Sequence, residues 1–280
     1  MIRTGICLLF ACFMFRFSEA QRISPADTLI IHSGNLELKA LLFKPPGHGP
    51  YPAILFAHGS HSIKDSLQDV TREIAALGSI FARRGWIFLG LCRRGVGLSS
   101  GQGISGGDIM NRAFNENGQD ARNRTQLDIM EGAEYDDLLS GLSFLLQLQD
   151  ADHHRIALVG HSFGASLGLI FASKNNNLKA AVLFSPGGYS WDLSSPLRNR
   201  LIKAGQEISI PSMVIHAEND YSTRPGFVLD SLMNALNKTH LLKIYPQFGD
   251  SASEGHALIY NGVEIWETDL FNFLDKYVLH

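Results

Sequence analysis

Ile156-Ala157-Leu158-Val159-Gly160-His161-Ser162-Phe163-Gly164 reads as an apolar strand running straight into a Gly-x-Ser-x-Gly turn. The small residues after it, Ala165, Gly168 and Ala172, suit a helix packed close to a sheet. A nucleophilic serine needs its hydroxyl clear of the backbone, near a base and near donors for an oxyanion. A sharp strand-to-helix turn supplies that exposure, and glycines on either side let strand and helix approach around a strained serine.

The partners of such a serine follow in a workable order. Pro211 to Ala217 reads as a buried strand leading into Glu218-Asn219-Asp220, which places Asp220 just past a strand end. Glu254-Gly255-His256-Ala257 is expected in a loop after the strand Leu241–Tyr245. The chain order Ser162, Asp220, His256 is that of one triad architecture, in which histidine takes the serine proton and the carboxylate holds the imidazole's tautomer. Upstream, the strand Pro52–Ala57 runs into His58-Gly59-Ser60. The backbone N–H groups of Ser60 and Phe163 are the expected oxyanion donors, each worth about 3–4 kcal/mol where such donors have been removed.

These stretches, together with Arg94-Gly95-Val96-Gly97-Leu98-Ser99, resemble the α/β-hydrolase superfamily. Within it they look specifically like the dienelactone-hydrolase-like and prolyl-oligopeptidase-like serine hydrolases. The matching motifs run from about residue 28 to the end, in the family's order. The resemblance implies a hydrolase with Ser162 as nucleophile, His256 as base and Asp220 as acid, and it implies no cofactor. True dienelactone hydrolases carry cysteine as nucleophile, so the serine here points to ordinary ester chemistry. Prolyl-oligopeptidase-like relatives usually add a large N-terminal propeller, which these 280 residues do not include.

Strands alternate with helices along the chain, which predicts a mostly parallel central sheet covered on both faces. Thr28–Phe43 reads as an antiparallel edge hairpin turning at Ser33-Gly34-Asn35. Leu67, Val70, Ile74, Leu77 and Phe81 recur at helical spacing, closed by Arg83, Arg84 and Gly85. Residues 99–127 are expected as a long polar insertion and 128–149 as a helix. A second, shorter insertion spans 187–209. Helices are expected over 226–237 and around Trp266, Leu270, Phe273, Leu274 and Tyr277.

Several residues carry competing readings. Glu218, two residues before Asp220, competes with it as the acid. Among the 11 histidines, His161 and His58 are locked in their turns. His153 and His154 precede the nucleophile strand, His216 reads as a core residue within a strand, and His240 begins one. His58-x-x-His61 has the form of a metal pair but lacks clustered carboxylates. Arg93 and Arg94 are expected to brace loops through backbone carbonyls rather than bind an anionic substrate. Tyr189 and Trp191 either line a pocket or anchor the second insertion.

The N-terminus reads as a signal peptide. Arg3 precedes a ten-residue apolar run, Ile6–Phe15, ended by Arg16. That is half the roughly twenty residues of a membrane span. Ser18-Glu19-Ala20 offers a cleavage site after Ala20, leaving residues 21–280 as one catalytic domain, secreted or periplasmic, with no stable membrane insertion. Cleavage removes Cys7 and Cys12 and leaves Cys92 as a buried small hydrophobe. Sequons occur at Asn123 and Asn237. The net charge of −3, with 18% charged and 45% hydrophobic residues, gives no basic stripe for nucleic acid and excludes a disordered chain. The expected substrate is a small-molecule ester. A peptidase, an acyltransferase, and a catalytically silent binding protein on the same fold remain alternatives, because fold does not fix function.

Overall fold

Asp27–Ser33 (β1) and Leu36–Phe43 (β2) pair antiparallel around Gly34, whose φ of 58° suits a tight reversal. The computed structural model describes residues 26–61 and 67–280. The leader expected over residues 1–20 lies outside them. β2 joins the sheet antiparallel to Ile87–Leu91 (β4), which pairs parallel to Tyr51–Ala57 (β3). Ala151–His161 (β5), Ala180–Phe184 (β6), Ser212–Ala217 (β7) and His240–Tyr245 (β8) continue the parallel set. The eight strands run in the order β1-β2-β4-β3-β5-β6-β7-β8.

The central strands are continuous apolar runs because both faces are covered. In β3, Ala53, Leu55 and Ala57 face one core; Ile54 and Phe56 face the other. Leu67–Arg83 (α1) presents Val70, Ile74, Leu77 and Phe81 to the second core, as its spacing predicts, and ends before Gly85 at φ 85°. The side chain of Leu67 lies outside the described residues.

The predicted insertions are corrected in form. Residues 99–127 are mostly helix: Gly106–Glu131 (α2) starts at an Ser105 cap that accepts from Asp108 N–H, and breaks at Gly118 (φ 76°, ψ −169°). The helix expected over 128–149 is Ala133–Leu145 (α3), separated from α2 at Gly132. The stretch hid its helix because two of the residues α2 buries, Asn123 and Gln126, are polar, and because glycines punctuate it. Phe163–Ala172 (α4) follows the Gly160–Gly164 turn, and Ser195–Glu207 (α5) makes most of the second insertion, behind a single turn over Gly188–Ser190. Arg224–Ala235 (α6) matches the helix expected over 226–237. After β8 come Ala252–His256 (α7), Leu258–Asn261 (α8) and Val263–Leu274 (α9), the last running on into a π-helical turn over Asp275–Leu279. His256 therefore ends a short helix rather than sitting in an open loop. Among the described residues no helix is long and apolar enough to cross a membrane.

A buried carboxylate ties α3 to the edge hairpin. Asp137 of α3 is fully buried and accepts from Ser33 Oγ at 2.7 Å and from the Arg94 guanidinium at 2.6 and 2.9 Å. Removing one partner of such a pair strands the other's charge, a loss of about 3–5 kcal/mol. Asp137→Ala is therefore expected to lower the urea-unfolding free energy by about that much. Asp150→Ala, which breaks only the exposed pair with Lys44, is expected to cost about 0–1 kcal/mol. Equal losses for the two variants would contradict this.

Candidate active site

The turn at the end of β5 holds Ser162 at φ 55° and ψ −117°, a conformation that L-residues rarely adopt. It persists because the surroundings over-determine it. Ser162 N–H donates to Phe184 O of β6 at 2.8 Å, and its carbonyl accepts from Ala165 and Ser166 N–H at 3.1 and 3.0 Å. A Cβ on Gly164 would collide with the carbonyl oxygens of Ala57 and His58, and one on Gly160 with the backbone of Gly164 and Ala165. The glycines are what let α4 start directly against the end of β3.

The structure brings together the three residues expected from the sequence. Ser162 Oγ lies 2.8 Å from His256 Nε2, and His256 Nδ1 lies 2.7 Å from Asp220 Oδ1. With Nδ1–H donated to Asp220, the lone pair of Nε2 faces the serine hydroxyl. Asp220 is buried, also accepts from Tyr221 N–H at 2.7 Å, and is held well below the usual carboxylate range. Burial alone would raise it; the hydrogen bonds from His216 and His256 overcome that. Glu218, the competing acid, is exposed to solvent.

His216 is a part that sequence reasoning missed by assigning it to the core. It is buried as expected, but its Nδ1 lies 2.7 Å from Asp220 Oδ2. Asp220 thus stands between two imidazoles, each on its own carboxylate oxygen. The i,i+4 spacing across a strand end was the available signal. Asn219 was also passed over. Its amide donates to Phe248 O at 2.9 Å and Ser251 O at 2.8 Å, and accepts from Phe248 N–H at 2.8 Å, locking the turn that carries Asp220 to the segment that leads into α7.

His161 is fixed as expected, and it acts as a strut. Its Nε2–H donates to His256 O at 2.9 Å, and its Nδ1 accepts from Tyr260 Oη at 3.1 Å. Burial first, then the neighbouring His256, pushes it down to about 3. His58 is likewise buried and held low, mainly by burial and then by Arg93. Its Nδ1–H donates to Gly59 O at 2.8 Å and its Nε2 accepts from Arg93 N–H at 3.2 Å, so both nitrogens are committed within the turn. Arg93 braces the same turn, donating to the carbonyls of His58 at 2.8 Å and Gly59 at 3.1 Å, with its Nε on buried Glu134 at 2.5 Å. Arg94 departs from the expectation by pairing with Asp137. His153 and His154 lie exposed inside β5, at the far end of the sheet.

Ser162 opens onto two cavities. The larger, about 410 Å³, is lined by Gly59, Ser60, His61, Glu73, His161, Ser162, Tyr189, Tyr221 and His256. Tyr221, which sequence reasoning did not single out, packs on His256 with ring centroids 4.9 Å apart and meets Tyr189 edge-on. Tyr189 lines the opening while Trp191 is buried as an anchor. The smaller cavity, about 100 Å³, lies beside Ser60, Phe163, Arg122 and Gln126. Asn123, the first sequon, is buried with its Nδ2 donating to Leu193 O, whereas Asn237 is exposed. Cys92 is buried and its thiol is pushed up to about 11, as an inert core residue should be.

The model of the dienelactone hydrolase family matches residues 38–257. The chain belongs to that family. It is a hydrolase of the α/β fold, built on the family's sheet. A search of curated proteins finds no match. Among solved structures, a dienelactone hydrolase from Anabaena variabilis superposes with a TM-score of 0.56 at 17% identity, over 87% of this chain and 97% of that one. A Pyrococcus furiosus esterase gives 0.63 at 15% identity, over 90% and 91%. An acylaminoacyl peptidase from Pyrococcus horikoshii gives 0.65 at 16% identity, over 94% of this chain but only 43% of that one. The chain thus spans about two fifths of the peptidase's length. At these identities the likeness is one of fold.

Two outcomes follow from the struts. His161 binds its proton less readily folded than unfolded, so its contribution to stability is full above about pH 6.5 and is lost as the pH falls toward 3. His161→Asn is expected to flatten the fall in unfolding free energy between pH 6.5 and 5 by about 1 kcal/mol per pH unit. Urea titrations at several pH values check this, and an unchanged slope would contradict it. His216→Phe keeps the ring volume but removes the bond to Asp220 Oδ2. It is expected to lower kcat about tenfold with little change in KM, as for an interaction realised in the transition state. A rise in KM at constant kcat would instead make His216 purely structural.

Proposed function

We propose that this hydrolase is an exported serine esterase acting on short carboxylic esters. The contact between Ser162 Oγ and His256 Nε2, with Asp220 behind it, is the observation that carries the reading. Ser162 attacks the ester carbonyl as His256 takes its proton. The oxyanion is held by the N–H of Ser60 and of Phe163, the first residue of α4, where a helix leaves its N–H groups without intrahelical partners. His256, paired with Asp220, returns the proton to the leaving alkoxide. Water, deprotonated by His256, then cleaves the acyl-enzyme and restores Ser162. Export rests on the leader read over residues 1–20. The peptidase reading is supported by the shared catalytic fold of the acylaminoacyl peptidases.

The polar make-up of α2 supports small substrates. Its surface carries Asp108, Arg112, Glu116, Asp120 and Arg124 rather than the apolar face a lipase lid exchanges with lipid. A fluorophosphonate is expected to label Ser162 in the mature protein. Ser162→Ala is expected to lose both the adduct and more than about 10⁴-fold in kcat/KM. Across acetyl, butyryl, octanoyl and palmitoyl esters the rate should fall with chain length, with no jump when an emulsion forms; peptide anilides should be slower. An Ala variant keeping a tenth of the activity would overturn the role of Ser162, and faster anilide cleavage would favour the peptidase.

A further inference from the structure

We propose that the smaller cavity is the acyl subsite of this enzyme and that it selects short acyl groups carrying a hydroxyl, such as 3-hydroxybutyryl. The proposal rests on the esterase reading above. Ser162 lines both cavities, but His256 lines only the larger one. The leaving oxygen must take its proton from His256 Nε2, so the leaving group occupies the larger cavity. The acyl chain is left with the smaller. At roughly 100 Å³, against about 410 Å³ for the larger cavity, it admits a short acyl chain and not a long one.

The chemistry of the walls sets the preference. Gln126 of α2 is 4% exposed, and its Nε2 donates to Ser190 Oγ at 3.3 Å. Its Oε1 has no hydrogen-bond partner among the described residues. An acceptor buried this way is costly to leave unmatched. Arg122, one helical turn earlier, lines the same cavity. No hydrogen bond or ion pair involves it among the described residues. A hydroxyl answers both, donating to Gln126 Oε1 and accepting from Arg122. An alkyl chain leaves both unanswered, and a carboxylate sets a second acceptor against Oε1. The walls are held in place: Asn123 Nδ2 donates to Leu193 O at 2.8 Å, Gln119 Nε2 to Asn123 Oδ1 at 2.7 Å, and Gly187 N–H to Ser166 Oγ at 2.8 Å. The two insertions thus meet over this cavity.

The test compares kcat/KM for 4-nitrophenyl butyrate, 3-hydroxybutyrate and hemisuccinate. The wild type is expected to favour 3-hydroxybutyrate over butyrate by about tenfold or more, since a site built to bind a hydroxyl rejects the analogue lacking it. Gln126→Leu is expected to bring that ratio close to one, and Gln126→Glu, which keeps an acceptor, to retain it. The ratio is internal to each preparation, so partial misfolding lowers both rates without moving it. A wild-type ratio at or below one, a ratio unmoved by Gln126→Leu, or a preference for the hemisuccinate would each overturn the subsite while leaving the esterase standing. Failure of every ester, with no fluorophosphonate adduct on Ser162, would sink both.

Discussion

The contact of Gly164 with the carbonyls of Ala57 and His58 is the constraint on which the rest of the site depends. It brings the start of α4 against the end of β3, so that the Phe163 and Ser60 amides and the Ser162 hydroxyl stand within one small region. No side chain larger than hydrogen fits there. The strained Ser162 backbone is held by hydrogen bonds to β6 and to the first turn of α4, from elements the sheet already fixes. Local strain at one residue is thereby sustained by the burial of two apolar cores.

A second layer of polar contacts orients what the elbow brings together. Arg93 grips two carbonyls of the turn after β3 and is itself neutralised by buried Glu134 of α3. His161 holds the backbone of His256, and Asn219 holds the segment before it. Asp220 is shared between His216 and His256. Each of these buried groups is costly alone and acceptable only with its partners, so the network specifies one arrangement rather than adding much net stability.

Much of this was legible in the sequence. The edge hairpin, α1 and the chain order of Ser162, Asp220 and His256 follow from periodicity, glycine placement and strand ends, because these features depend on neighbours in the chain. The segment 99–127 was not. Its helix α2 buries Asn123 and Gln126, and a polar residue signals burial only once its partner is known. Those partners, Leu193 O and Ser190 Oγ, lie more than sixty residues away.

Hydrophobic period and turn chemistry are local properties, so the α/β architecture and the residue types and order of the site can be read along the chain. Folding in three dimensions is what makes His216 share Asp220 with His256, gives Arg93 and Arg94 different partners, and brings the two insertions together around a cavity beside Ser162. These are contacts between residues distant in the chain, set by how the layers pack. A buried polar side chain is matched by whatever that packing brings within about 3 Å of it, and no local pattern records the match.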